Sequence, residues 1–188
     1  MTLSYLERGI IMNETLNVLK ERRSIRKYKA EQITDAELDA ILEAGTWAAS
    51  GKGLQPAVMV VVQDQETISY MSRLNAEIQG KPGTDPFYGA PTVVVVLADP
   101  EATNAANAQR DGSLTMGHLM NAAWSLGVSS CWINRAEEVF AQPGGKALLR
   151  RWGLPETLVG VGNCILGYAA GDIPAPKPRK ADFVRFVD

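Results

Sequence analysis

Near the N-terminus, Arg22, Ser24 and Arg26 stand two residues apart in the run Arg22-Arg23-Ser24-Ile25-Arg26. If the chain is extended there, all three side chains point to one face and share an anion such as a phosphate through charge-assisted hydrogen bonds. The same cations equally suit the end of a preceding helix, where the macrodipole favours positive charge. A second group lies in Ala48-Ala49-Ser50-Gly51-Lys52-Gly53-Leu54-Gln55-Pro56, a turn of small residues and glycines. Small residues let a backbone approach a flat ligand closely, with Ser50, Lys52 and Gln55 offering polar groups, although glycine turns are also ordinary punctuation. A third pair, Lys177 and Arg179, is spaced by a proline that holds both side chains outward, toward an anionic ligand or toward solvent.

Other chemistries are excluded by inspection. Gly160-Val161-Gly162-Asn163-Cys164-Ile165 lacks the third glycine of a dinucleotide fingerprint, and Gly162 to Gly167 is followed by Tyr168-Ala169 rather than the Lys-Ser/Thr of a P-loop. Close packing is the expected reason for those glycines. No glycine-flanked nucleophile surrounds Ser129 and Ser130, and one histidine, His118, leaves no triad and no zinc spacing. Cys131 and Cys164 lie in apolar runs that suit buried thiols.

The elements that must position these groups follow from periodicity. A helix from Asn13 to about Glu21 delivers Arg22 to Tyr28, and Thr34 with Glu37 forms a capping box opening a helix toward Ser50. Strands are expected at 57–62, 93–97, 128–133 and 158–166, with helices at 66–78, 106–126, 137–141 and 146–152 between them. The Gly/Pro-rich segment 80–89, with Phe87 and Tyr88, reads as a lid, a pocket wall or a surface connection. From Gly171 onward, Pro174, Pro176 and Pro178 impose an extended tail ending in the apolar Phe183, Val184, Phe186 and Val187, suited to lying along another surface.

The chain of 188 residues is 46% hydrophobic, enough for one continuous core and a single expected domain over 1–188, with 1–12 a flexible N-terminus and 171–188 a dimerisation tail. Nineteen basic against twenty-one acidic residues leave a net charge of −2, so no electrostatic excess is present to hold nucleic acid or an anionic membrane, and any phosphate site must be local. The first twelve residues carry Glu7 and Arg8 in place of a continuous apolar stretch, which reads as a cytoplasmic chain.

Taken in order, the segments resemble the nitroreductase family of FMN enzymes from about Glu14 onward. Four anchors carry the resemblance: the early R-x-S-x-R motif at Arg22, Ser24 and Arg26; the helix-end A-x-S-x-x-N-x-Q-P motif at Ala48 to Pro56; a central helix leading into Ser130-Cys131-Trp132-Ile133; and the late K-x-R at Lys177 and Arg179. The resemblance implies an α+β fold with a mixed central sheet between helices, and a homodimer in which the C-terminal extension wraps the partner and completes its sheet. It implies FMN at the subunit interface, held by Arg22, Arg23, Ser24, Arg26, Lys177 and Arg179 around the phosphate, ribityl and pyrimidine groups. Ser50 and Gln55 would line the flavin from the partner, the backbone near Ile133 and Asn134 would face the ring, and Arg26 would stabilise the reduced flavin. The implied activity passes hydride from NADH or NADPH through FMN to an electron-poor acceptor such as a nitroaromatic or quinone, with no catalytic acid–base pair and no metal. A reductive dehalogenase, a flavin-destroying enzyme or a non-catalytic flavin-binding protein are the alternatives within the same fold. Two positions depart from the family pattern: Gly53 stands where the family has asparagine, and Ala57 where an aromatic often follows Gln-Pro.

Overall fold

A computed structural model describes residues 13–187; the flexible N-terminus expected at 1–12 lies outside the described residues. Helix α1 (Glu14–Glu21) starts where the Asn13 side chain accepts the Leu16 amide at 3.0 Å, and ends as Arg22 turns to an extended backbone. Helix α2 (Asp35–Thr46) begins in the anticipated capping box and stops short of the glycines, which form a 3-10 turn at Gly51–Gly53. There follow β1 (Ala57–Val62), α3 (Gln65–Ile78), β2 (Thr92–Ala98), α4 (Ala105–Ser125), β3 (Ser129–Ile133), α5 (Ala136–Ala141), α6 (Pro143–Arg151) and β4 (Val159–Gly167). Helix α6 begins three residues before the expected Lys146. Pro143 and the glycines after it read as breakers, but proline is at home in a first turn and Gly145 lies directly against the Val139 and Phe140 backbone.

The four strands are ordered β1-β2-β4-β3 and every ladder between them is antiparallel. The mixed character expected of the sheet enters through one parallel bridge, between Ser24 and Ser130 at the outer edge of β3. Because β2 is central and covered on both faces, it is apolar throughout, with strand alternation dividing its side chains between two cores. Val94, Val96 and Ala98 pack with Ile41 of α2 and Met116 and Leu119 of α4; Val93, Val95 and Leu97 pack with Met71 of α3, Phe140 of α5 and Leu149 of α6. The layers approach closely at glycines: a Cβ on Gly112 of α4 would meet Val161 of β4 at 2.6 Å, and one on Gly162 would meet the Trp132 indole at 2.4 Å. Close packing is thus what the glycines of β4 serve.

The 80–89 segment is not a free flap. Asp85 accepts the Ser72 hydroxyl at 2.5 Å and the amides of Phe87 and Gly89 at 2.9 and 2.7 Å. Phe87 is only 1% exposed and belongs to the core beside α3, where it also lines a cleft with Ile68, Ser72 and Asp85.

The start of α2 is tied to the end of β4. Glu37 accepts from the Thr34 amide and hydroxyl at 2.8 and 2.7 Å and from the Tyr168 hydroxyl at 2.7 Å, while Thr34 accepts the Glu37 amide at 3.2 Å. The Tyr168 hydroxyl first, and Thr34 second, hold the Glu37 carboxyl below its ordinary value. A carboxyl with a depressed folded pKa stabilises above its unfolded value, roughly 4.3, and loses that contribution as pH falls through the lower folded value. Thr34→Ala is expected to cost about 1 kcal/mol at neutral pH, read from the urea midpoint. The difference between variant and wild type should narrow below about pH 4; a constant difference would mean that Glu37 plays no part in the cap.

Candidate functional site

The first motif leaves α1 as an extended segment zipped onto the sheet. The Ile25 amide donates to the Ser130 carbonyl at 3.0 Å, the Lys29 amide to Tyr168 at 2.9 Å, and the Ala170 amide to Lys27 at 3.0 Å, with a second bridge from Tyr28 to Ala169. Alternation then buries Ile25 in the core while Arg26 stays exposed. The segment therefore runs along β3 on one side and meets the root of the C-terminal tail on the other.

Three motif side chains converge electrostatically on the buried Cys131 of β3. Burial pushes this thiol up from its ordinary value, against the opposing pull of the Arg26 guanidinium, a hydrogen bond from Ser24, and Arg22. Cys164, fully buried on the opposite face of the sheet, is pushed up to about 12, by burial first and by Cys131 second. Both thiols stay protonated at neutral pH and are structural. Burial likewise raises the Tyr28 phenol, whose hydroxyl donates to the Ile25 carbonyl at 2.8 Å and so ties the motif to itself.

The two neighbouring arginines differ. Arg23 Nη1 donates to the carbonyls of Lys20 and Arg22 at 2.7 and 2.8 Å, clamping the open end of α1. Arg22 Nη1 is buried and has no hydrogen-bond acceptor, as is Arg23 Nε. An unpartnered guanidinium nitrogen beside an extended serine is a donor set that an anionic oxygen satisfies, since a buried cation without an acceptor is costly.

The second motif is held elsewhere. Between α2 and β1 the chain makes an exposed turn in which Lys52, Gly53 and Gln55 take left-handed φ values of 56°, 68° and 49°. Its lower side closes on itself, the Gln55 amide donating to Ser50 Oγ at 3.0 Å. Its upper side closes on α4, the Gly51 amide lying 3.2 and 3.1 Å from the two oxygens of Asp111. Gly53 keeps the left-handed backbone that asparagine also tolerates, and a Cβ there would meet nothing within 4 Å. The departure at this position therefore removes a side chain without altering the turn. Among the described residues no hydrogen bond or ion pair joins Ser50 or Gln55 to Arg22, Ser24 or Arg26.

The strand-end group is fixed from α3. Ile133 is buried at the end of β3, and the exposed Asn134 has its carbonyl held by Asn75 Nδ2 at 2.7 Å. Arg135 follows with a left-handed φ of 72° and opens α5 without a side-chain cap. Lys177 and Arg179 lie exposed on the extended tail, beyond Ala170.

Asn75 and Asp111 were not singled out from the sequence. The signal was present: each is a polar residue on a buried helical stripe, Asn75 with Ile68, Met71 and Ser72, and Asp111 with Ala108, Gly112, Thr115 and Leu119. A polar group at such a position needs a partner, which periodicity alone does not name. No described helix is long and apolar enough to cross a membrane.

Comparison with known proteins gives one family. The model of the nitroreductase family matches residues 19–168. A protein of Archaeoglobus fulgidus provisionally named NADH dehydrogenase/NAD(P)H nitroreductase is 33% identical over 162 residues, covering 84% of this chain and 86% of that one. An FMN reductase [NAD(P)H] of Bacillus subtilis is 29% identical over 187 residues, covering 89% of this chain and 70% of its own length. Among solved structures, a nitroreductase with bound FMN from Bacteroides fragilis superposes with a TM-score of 0.85 at 32% identity, covering 94% of this chain and all of that one. Another with bound FMN, from Desulfitobacterium hafniense, gives 0.83 at 30% identity, covering 95% and 100%.

Proposed function

The chain belongs to the nitroreductase family, and on that premise we propose that it is an FMN-dependent oxidoreductase using NADH or NADPH to reduce an electron-poor acceptor, a nitroaromatic or quinone. The observation that carries the reading is the unpartnered Arg22 guanidinium nitrogen beside the extended Ser24, on a segment whose far end, at residues 27–29, pairs with the root of a tail bearing Lys177 and Arg179. That is a donor set for a phosphate monoester. FMN would supply the hydride chemistry, which is why a chain with one histidine and no acid–base pair suffices.

This chain's own residues bind and orient. Arg22, Ser24 and Arg26 take the phosphate and ribityl end, with Arg23 clamping the helix from which they emerge and Lys177 and Arg179 closing over the anion. Ser50, whose Oγ already accepts the Gln55 amide, retains a hydroxyl proton to donate, and the Gln55 side chain is free at the surface. The Ile133–Asn134 backbone, held by Asn75, presents a fixed edge.

The working unit of this reading is a homodimer with two sites at the subunit interface. Two features support it. The outer edge of β1 pairs with no described strand although its Val58 and Val60 pack on the core. The tail, in turn, exposes Phe183 at 78% and Phe186 at 89%, more apolar surface than a free terminus retains without a partner. Residues 1–188 act as one functional unit in this proposal, and the cytoplasm, where nicotinamide is supplied reduced, suits it.

The test is the visible spectrum of purified protein before and after anaerobic NADPH, with the chromophore released by denaturation. Release of FMN and bleaching by nicotinamide, followed by turnover with a nitroaromatic well above the reaction with oxygen, is the expected result. A colourless protein that takes up no FMN would overturn it; bound FMN without turnover would leave a flavin-binding protein of the same fold.

A further inference from the structure

The turn that carries Ser50 and Gln55 is held open to a ligand by a single buried carboxylate, and from that geometry we propose that Asp111 is a positioning residue for flavin binding. This rests on the oxidoreductase reading. Asp111 is 8% exposed, in the interior of α4 and on the stripe that faces the sheet and α2. No cationic side chain pairs with it among the described residues. A carboxylate at a core position is costly unless donors compensate it. Its donor is the Gly51 amide, sixty residues earlier, which both carboxylate oxygens share.

Packing does not require an acid here. A cavity of about 180 Å³ lies beneath the turn, lined by Ser50, Gln55, Pro56, Met59, Asp111 and Thr115 among others, so an apolar residue would have room. The turn, by contrast, requires an anchor. Residues 51–55 are all exposed, and two of them that are not glycine, Lys52 and Gln55, hold left-handed backbones. Each such residue costs on the order of 1 kcal/mol and persists only where neighbouring contacts over-determine it. The Ser50–Gln55 bond fixes the turn internally, Asp99 holds its exit through the Pro56 carbonyl, and among the described residues the Asp111–Gly51 contact is the hydrogen bond that ties the turn to α4. Without Asp111 the turn keeps its shape and loses its place against α4.

The test measures the apo protein with FMN, not turnover. In Asp111→Ala the FMN dissociation constant, from quenching of flavin fluorescence, should rise about tenfold, the value of one charge-assisted hydrogen bond. Asp111→Asn keeps an acceptor for the Gly51 amide and should stay within about threefold of wild type. Gly51 amide exchange in the apo protein should be slow in wild type and Asp111→Asn and fast in Asp111→Ala, with the far-ultraviolet circular dichroism of all three alike. If Asp111→Ala fails to fold, Asp111→Ser, too short to reach the amide, carries the same expectation. Wild-type affinity in the Ala or Ser variant, or a protected Gly51 amide without the carboxylate, would overturn the proposal. Failure of wild type to bind FMN would instead overturn the functional reading, and the Gly51 exchange comparison would still decide whether Asp111 anchors the turn.

Discussion

Replacing Arg22 and Arg26 together with alanine is expected to weaken FMN binding about a hundredfold. A hydrogen bond to a charged group contributes roughly 1.5–3 kcal/mol, and the lower end applies because Arg26 is exposed and screened; two such losses make about 3 kcal/mol, or two decades. Wild-type affinity should also fall with rising salt, and more steeply than the variant's, in which Lys177 and Arg179 remain. Arg23→Ala is the informative control. Its Nη1 is already spent on the carbonyls of Lys20 and Arg22, with the buried Nε left without an acceptor, so removing it should lower the stability of α1 more than the affinity for FMN. Apo protein that melts like wild type but binds FMN poorly is the expected signature of the double variant. Unchanged affinity would place the phosphate elsewhere and would leave the orphaned Arg22 nitrogen without an explanation.

The parts of this molecule that were legible beforehand are those that local chemistry decides. Asn13 and Thr34 start helices because each offers an oxygen to an orphan amide, and both were readable as caps without any partner in view. The run from Val93 to Leu97 was readable as a buried strand because both its faces are covered, and the structure extends it by one residue at each end, to Thr92–Ala98. What could not be read were the long-range partners. Nothing in the sequence around Gly51 points to Asp111, nor around Asn134 to Asn75, because such pairs depend on how α3 and α4 lie against loops that periodicity does not place. The 80–89 segment stayed open between lid, pocket wall and surface connection for the same reason: its anchoring through Asp85 onto Ser72 is a tertiary contact. The candidate site was therefore visible as a set of residues and not as an arrangement.

Gly160→Ala is expected to destabilise the fold by about 3 kcal/mol, the upper end for overpacking a tight interior, because neither side of the contact can give way cheaply. A Cβ at Gly160 would lie 2.2 Å from the Ala136 carbonyl oxygen, 2.3 Å from its carbon and 2.8 Å from the Glu137 nitrogen, all backbone atoms. On its own side Gly160 is fixed by pairing with Leu97 across the bulge of β4 and by the Gln109 side chain, which donates to its carbonyl at 2.7 Å. The element that moves is then the start of α5, and α5 opens directly after Asn134 and the left-handed Arg135. The urea midpoint and the FMN affinity should therefore fall together, although Gly160 itself touches no ligand in the proposed arrangement. Gly162→Ala discriminates, because its Cβ would meet the indole of Trp132, half-buried at the edge strand and able to shift by a rotamer, so its cost should be smaller. If Gly160→Ala unfolded at the wild-type urea concentration, α5 would not be seated on β4 as described, and the fixed strand-end backbone on which the flavin assignment of Ile133 and Asn134 depends would lose its support.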